Sequence, residues 1–155
     1  EGFTEPDPRD DLSGLDVARK ALILRREIGV NMELNDINVE NLVPENLRDL
    51  PLKEFMDRIS ETNAVYESMK KDAEAKGEVL RYMAVIENKN VEIVLKSVGP
   101  THPFYNLSGS DNMIVFTTAR YKNNPLVVKG PGAGAEVTAA GVFAEIISIG
   151  NYMAN

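Results

Sequence analysis

Residues 79–98 constrain the fold more than any other stretch. Two runs, 79–87 and 91–98, are rich in Val, Ile, Leu, Tyr and Met and meet at Asn88-Lys89-Asn90. Such runs either side of a short polar turn predict a hairpin, although this turn lacks the glycine of the strongest two-residue signals. Before the hairpin, residues 14–28 and 52–76 predict helices that stop at Gly29 and Gly77, and residues 36–40 alternate as a strand does. Phe55, Ile59, Tyr66 and Met69 are available for the buried side of the second helix. After the hairpin, residues 113–120 and 125–129 predict two more strands and 136–149 a last helix. This order implies an α+β fold, a mixed or antiparallel sheet of about four or five strands with helices packed on it. At 155 residues and 43% apolar, the chain is read as one domain, 1–155, with enough material for a core.

Composition removes whole classes of function. The net charge of −7 and the lack of a basic stretch argue against nucleic acid, because nothing stands ready to displace counterions from phosphates. No apolar run approaches the roughly 20 residues of a bilayer crossing and no basic-then-apolar leader is visible, so neither a membrane nor export is expected. Zero cysteines exclude disulfide and thiolate chemistry and fit a cytoplasmic enzyme. The one histidine, His102, lies in the turn-rich Gly99-Pro100-Thr101-His102-Pro103 and is expected to be a loop residue. A zinc site on Cys and His ligands and a serine triad with its G-x-S-x-G turn are both out. Carboxylate and lysine remain for acid–base work.

They concentrate at the start. From Glu5-Pro6-Asp7-Pro8-Arg9-Asp10-Asp11 to Lys20, five carboxylates and one lysine fall within sixteen residues. Pro6 and Pro8 push Glu5 and Asp7 toward extended backbone, so an acidic ribbon is expected, answered by Arg9, Lys20 or a ligand's ammonium group. Ser13 is the expected N-cap of the following helix, with Asp16 as a short-armed capping box. At about 100° per residue, Leu15, Val17, Ala18, Ala21, Leu22, Leu24 and Ile28 form a broad apolar arc. Arg25 falls inside it without a visible reason, and Lys20 lies just outside its edge, a half-buried position. Capping and an ordinary Asp16–Lys20 pair at i,i+4 explain much of this structurally. They leave Glu5 and Asp7 unexplained, whereas a site that grips an amino acid's ammonium group beside a proton-donating lysine accounts for all of them.

Gly130-Pro131-Gly132-Ala133-Gly134-Ala135 sits between a strand and a helix but reads G-x-G-x-G, and only 21 residues follow Gly134. It fails as a free-standing dinucleotide fingerprint. It is either a tight strand-to-helix turn or a place where backbone N–H groups approach a ligand.

Residues 4–20, Thr4-Glu5-Pro6-Asp7-Pro8-Arg9-Asp10-Asp11-Leu12-Ser13-Gly14-Leu15-Asp16-Val17-Ala18-Arg19-Lys20, resemble the signature of homoserine dehydrogenase almost residue for residue. Gly132-Ala133-Gly134-Ala135-Glu136-Val137-Thr138-Ala139-Ala140-Gly141-Val142 resembles that family's C-terminal glycine loop and helix. The resemblance spans the chain and extends to bifunctional aspartokinase–homoserine dehydrogenases. It implies the substrate-binding and catalytic part of an NAD(P)-dependent oxidoreductase that interconverts L-homoserine and L-aspartate 4-semialdehyde on the route to threonine and methionine. Lys20 then matches the proton donor and Asp16 the acid that orients substrate and lysine. Glu5 and Asp11 match substrate-binding acids, and Gly134 a loop glycine near the cofactor. Phe3 stands where some relatives have tyrosine. The resemblance further implies that the N-terminal nucleotide-binding domain, absent from this chain, makes most cofactor contacts. It implies too that the protein is a homodimer through residues 79–120. Two alternatives stay open: a non-catalytic amino-acid-binding or dimerisation domain, and a divalent-metal site at residues 7–11, against which Arg9 in its middle argues.

Overall fold

The computed structural model describes residues 5–88, 90–132 and 134–154; Phe3, Thr4, Lys89 of the hairpin turn and Ala133 of the glycine loop lie outside the described residues. The chain divides into two compact units, Glu1–Pro100 and Thr101–Asn155.

In the first unit the expected ribbon is a short helix, α1 (Pro8–Leu12). Asp7 keeps extended backbone, and its carboxylate accepts the Arg9 N–H at 3.0 Å as N-cap. Pro8 takes the first helical position, where its missing N–H costs nothing. The prolines therefore stiffen the entrance to a helix. The chain turns at Gly14 into α2 (Leu15–Glu27), and Gly14, at φ +77°, is the N-cap in place of Ser13. Ser13 is the C-cap of α1, its N–H bonded to the Arg9 carbonyl at 2.8 Å and its hydroxyl donating to the Asp10 carbonyl at 3.0 Å, while its Oγ still accepts the Leu15 N–H at 3.3 Å.

α2 buries Ala18, Ala21 and Leu22 with Ile37, Val91 and Ile93, while Leu15 and Ile28 stay exposed and trim the expected arc at both ends. Arg25, 4% exposed, donates through Nη2 to the Asn88 carbonyl, while its buried Nε has no hydrogen-bond partner among the described residues. A 3-10 turn at Leu34–Asp36, reciprocally capped by Glu33 and Asp36, claims the start of the expected strand. What remains is β1 (Asn38–Val39).

α3 (Glu45–Arg48) has no counterpart in the sequence pattern; α4 (Leu52–Arg58) and α5 (Asn63–Glu74) fill most of the stretch expected to be mainly helical. Between them Ile59–Thr62 tightens into a 3-10 turn, where the Thr62 hydroxyl donates to the Ile59 carbonyl at 2.8 Å and so competes with helical N–H groups. Phe55 is buried and Ile59, Tyr66 and Met69 are half-buried, as the pattern predicts. Phe55, Val43 and Leu47 form a second small core with Leu12, Leu50 and Ile59 packed on it.

The hairpin forms as expected: β2 (Val79–Glu87) pairs antiparallel with β3 (Asn90–Val98), Val79 opposite Val98 and Glu87 opposite Asn90. Asn88, at φ +52°, does the work of the missing glycine, since a short polar side chain tolerates the left-handed region. β1 lies parallel to β3, giving the order β1-β3-β2.

In the second unit β4 (Asp111–Phe116) and β5 (Leu126–Pro131) form an antiparallel pair, followed by α6 (Ala135–Ala154). Among the described residues the fold is α+β with five strands, divided between two sheets instead of one. α6 runs 20 residues with none buried, and a mean hydropathy of 1.3 over 18 of them makes it long and apolar enough, by length and composition, to cross a bilayer. That corrects the expectation of no such run. Glu136, Thr138, Glu145 and Ser148 interrupt the apolar residues, so the property emerges only as an average over many residues.

Candidate functional site

The corner between α1 and α2 gathers the expected acids and lysine into two pairs. Ahead of α1, the Glu5 N–H donates to Asp11 Oδ2 at 3.0 Å, closing the incoming chain onto the end of the helix. On α2, Lys20 Nζ meets Asp16 Oδ2 at 2.7 Å, with side chains 60% and 61% exposed. Lys20 is therefore not half-buried. The packed face of α2 is narrower than the expected arc and centres on Ala18, and two residues on, about 200° around the helix, Lys20 points away from it. Gly14, buried between the two pairs, fixes where α1 ends and α2 begins.

Asp7 is not a free substrate acid. Arg9 Nε lies 2.9 and 3.1 Å from its two oxygens and Nη2 2.6 Å from Oδ2. Arg9 also donates to the carbonyls of Arg48 and Leu50 and stacks 5.0 Å over the Phe55 ring. Hydrogen bonds from the Arg9 guanidinium, and then from its backbone N–H, hold the Asp7 carboxyl below its ordinary range. A depressed carboxylate contributes its stabilisation above its unfolded pKa and loses it as pH falls through the folded one. Hydrogen exchange of the α1 amides is accordingly expected to be slow near neutrality and to lose protection well below about pH 4. Asp7→Ala should remove that protection at all pH values; unchanged exchange in this variant would refute the cap.

Beside α1 lies a groove of about 460 Å³ lined by Asp7, Arg9, Ser13, Asn41, Arg48 and Asp49, among others. Asp16 and Lys20 do not line it. His102 is a loop residue, as expected: Nδ1 accepts the Phe104 N–H at 3.1 Å, and its ring stands edge-on to Phe104 at 5.1 Å. Among the described residues no group of three His, Asp or Glu could hold a metal ion. Gly134, in the second unit, takes φ +126° at the mouth of α6, and a Cβ built there meets nothing within 4 Å.

The residues that brace the corner were not legible in the sequence. Tyr82 on β2 donates its hydroxyl to the Glu40 carbonyl at 2.6 Å, and the Tyr66 hydroxyl donates to the Leu42 carbonyl. Burial first, then the Glu40 carboxylate and Tyr66, pushes the Tyr82 phenol up to about 12.

The first unit thus sets an acid–lysine pair and a second acid at one helical corner of an α+β fold. The family model described as homoserine dehydrogenase matches residues 1–147. The maize chloroplastic bifunctional aspartokinase/homoserine dehydrogenase 1 is 52% identical over 155 residues, 98% of this chain and 17% of that protein. Homoserine dehydrogenase of Schizosaccharomyces pombe is 47% identical over 152 residues, 96% of this chain and 40% of that one. A solved structure of a Candida auris protein of unknown function, 43% identical, superposes with a TM-score of 0.87 over 96% of this chain and 42% of that chain. The chain belongs to the homoserine dehydrogenase family. It spans less than half the length of each of these relatives.

Proposed function

We propose that this chain is the substrate-binding and catalytic part of an NAD(P)-dependent oxidoreductase that interconverts L-homoserine and L-aspartate 4-semialdehyde. The observation that carries this reading is the 2.7 Å Asp16–Lys20 pair on α2 of a chain belonging to this family. Reduction of the aldehyde builds negative charge on its oxygen, and a lysine ammonium stabilises that charge and then gives it a proton. In the reverse direction the amine takes the hydroxyl proton. Asp16 orients the ammonium group, and Glu5 with Asp11 holds the ammonium group of the amino acid. NAD(P), when bound, supplies or accepts the hydride. Gly134 fits a place beside it, because its open surroundings and left-handed backbone leave room for close approach before the first N–H groups of α6.

The remaining cofactor contacts belong to a nucleotide-binding domain outside these residues, which encloses the exposed Asp16–Lys20 face. The same reading makes the enzyme a homodimer through residues 79–120, and β2 supports this as the edge strand of its sheet. A polypeptide containing this chain and that domain is expected to oxidise homoserine with NAD(P), and gel filtration of the same preparation reads its dimeric state. The 155 residues alone are expected to give no turnover and no tight NAD(P) binding; measurable dehydrogenase activity from them would refute the division of labour. The exposure of both pairs favours one second reading, a non-catalytic amino-acid-binding domain, whose signature would be tight homoserine binding by these residues by themselves.

A further inference from the structure

We propose that Tyr82 is a positioning residue for homoserine: its phenol, fixed to the Glu40 carbonyl, fills the space beside Gly14 and sets the angle between α1, which carries Asp11, and α2, which carries Asp16 and Lys20. The inference rests on the function proposed above. Gly14 is buried in the left-handed region, and a Cβ placed on it would overlap Tyr82 Oη and come within 3.0 Å of Tyr82 Cζ and of Val39 Cγ1. The absence of a side chain at position 14 is thus matched by the presence of one at position 82. Tyr82 in turn cannot drift, because Glu40 is fastened twice to β3: its N–H donates to the Ile93 carbonyl at 2.8 Å and its carboxylate accepts the Leu95 N–H at 3.0 Å. Leu95 is the residue opposite Tyr82 in the hairpin register.

Two residues further on, the Leu42 N–H donates to the carbonyl of Leu12, the last residue of α1, at 3.0 Å. The Leu42 carbonyl is itself held by Tyr66. Residues 40–42 therefore strap the corner to the sheet from both sides, α1 through Leu12 and the start of α2 through Tyr82 and Gly14. The raised phenol pKa keeps the Tyr82 hydroxyl a donor at every working pH. The Tyr82 ring also packs on the hydrophobic cluster beneath α2, whereas its hydroxyl serves only the strap, so removing the hydroxyl alone loosens the corner without opening that core.

The test uses a homoserine dehydrogenase polypeptide containing this chain. Tyr82→Ala is expected to lower kcat/KM for homoserine about 10- to 100-fold, the range a displacement near 1 Å produces. The loss should fall mainly in KM, with the KM for nucleotide unchanged. Gly14→Ala should do the same or worse. In the double variant the new methyl group enters the vacated space, so the combined loss should be smaller than the product of the single losses. Tyr82→Phe keeps the ring but frees it from Glu40, and should raise the homoserine KM about threefold, the worth of one hydrogen bond; it carries the test if the alanine variant does not fold. A folded Tyr82 variant with wild-type homoserine kcat/KM, or single losses that simply multiply, would overturn the proposal. Lys20→Ala made in parallel separates the two ideas. Full turnover there sinks the functional reading itself, whereas slow Lys20→Ala beside wild-type Tyr82 variants sinks only the positioning role.

Discussion

Lys20→Ala, in a polypeptide containing this chain and its nucleotide-binding domain, is expected to cut kcat for homoserine oxidation and semialdehyde reduction about 10²- to 10⁴-fold, the usual worth of a positioned acid or base. At about 1.36 kcal/mol per decade this is roughly 2.7–5.4 kcal/mol of barrier. The fold has far less at stake. The Asp16–Lys20 pair is 61% and 60% exposed, and exposed i,i+4 pairs contribute about 0.3–0.5 kcal/mol. Melting temperature and nucleotide KM should therefore stay near wild type while turnover collapses, a combination that a structural role cannot produce. Lys20→Arg sharpens the point: it keeps a cation beside Asp16 but holds its proton too tightly to exchange it, so it should be almost as slow as alanine. Near wild-type turnover in Lys20→Ala would remove this residue from the chemistry.

The elements legible in the sequence are those whose signal is local. The hairpin, the glycine stops at positions 29 and 77, and α6 all follow from runs and breakers that neighbours cannot override. Ser13 does accept an N–H of α2, that of Leu15 at 3.3 Å, but Gly14 takes the cap position because Asp7 and Pro8 start a helix that Ser13 closes. Lys20 was placed by counting every apolar residue of α2 as buried, whereas the sheet covers only the Ala18–Ala21–Leu22 face. Small residues define that face, since they let α2 approach β3 closely, and a count of large side chains overlooks them. The proposed acids and lysine fall along 16 residues, so their grouping is local in the chain. Tyr82, 68 positions beyond Gly14, was not legible, because only the strand register brings it there.

Phe55→Ala is expected to destabilise the first unit by about 3–5 kcal/mol, the range for deleting a buried phenyl ring. Phe55 is 1% exposed and is the largest side chain of a core with only Val43 and Leu47 as its other buried members. So small a cluster has few neighbours that could collapse into the void, which favours the upper part of that range. A further contribution of about 0.5–1 kcal/mol comes from Arg9 stacked on the ring. Against a typical total of about 5–15 kcal/mol, this loss is large. Its consequence runs toward the site, because Arg9 joins this core to Asp7 and Leu12 packs on it from the end of α1. Urea denaturation of the variant should show the lowered midpoint, and at 0 M urea the homoserine KM should rise before kcat falls, since α1 carries Asp11 and α2 carries Lys20. Phe55→Leu, which leaves a smaller void, should recover most of both. A loss under about 1 kcal/mol in Phe55→Ala, below the range for a filled core, would mean that α1 is held by Arg9 and its carbonyl partners alone.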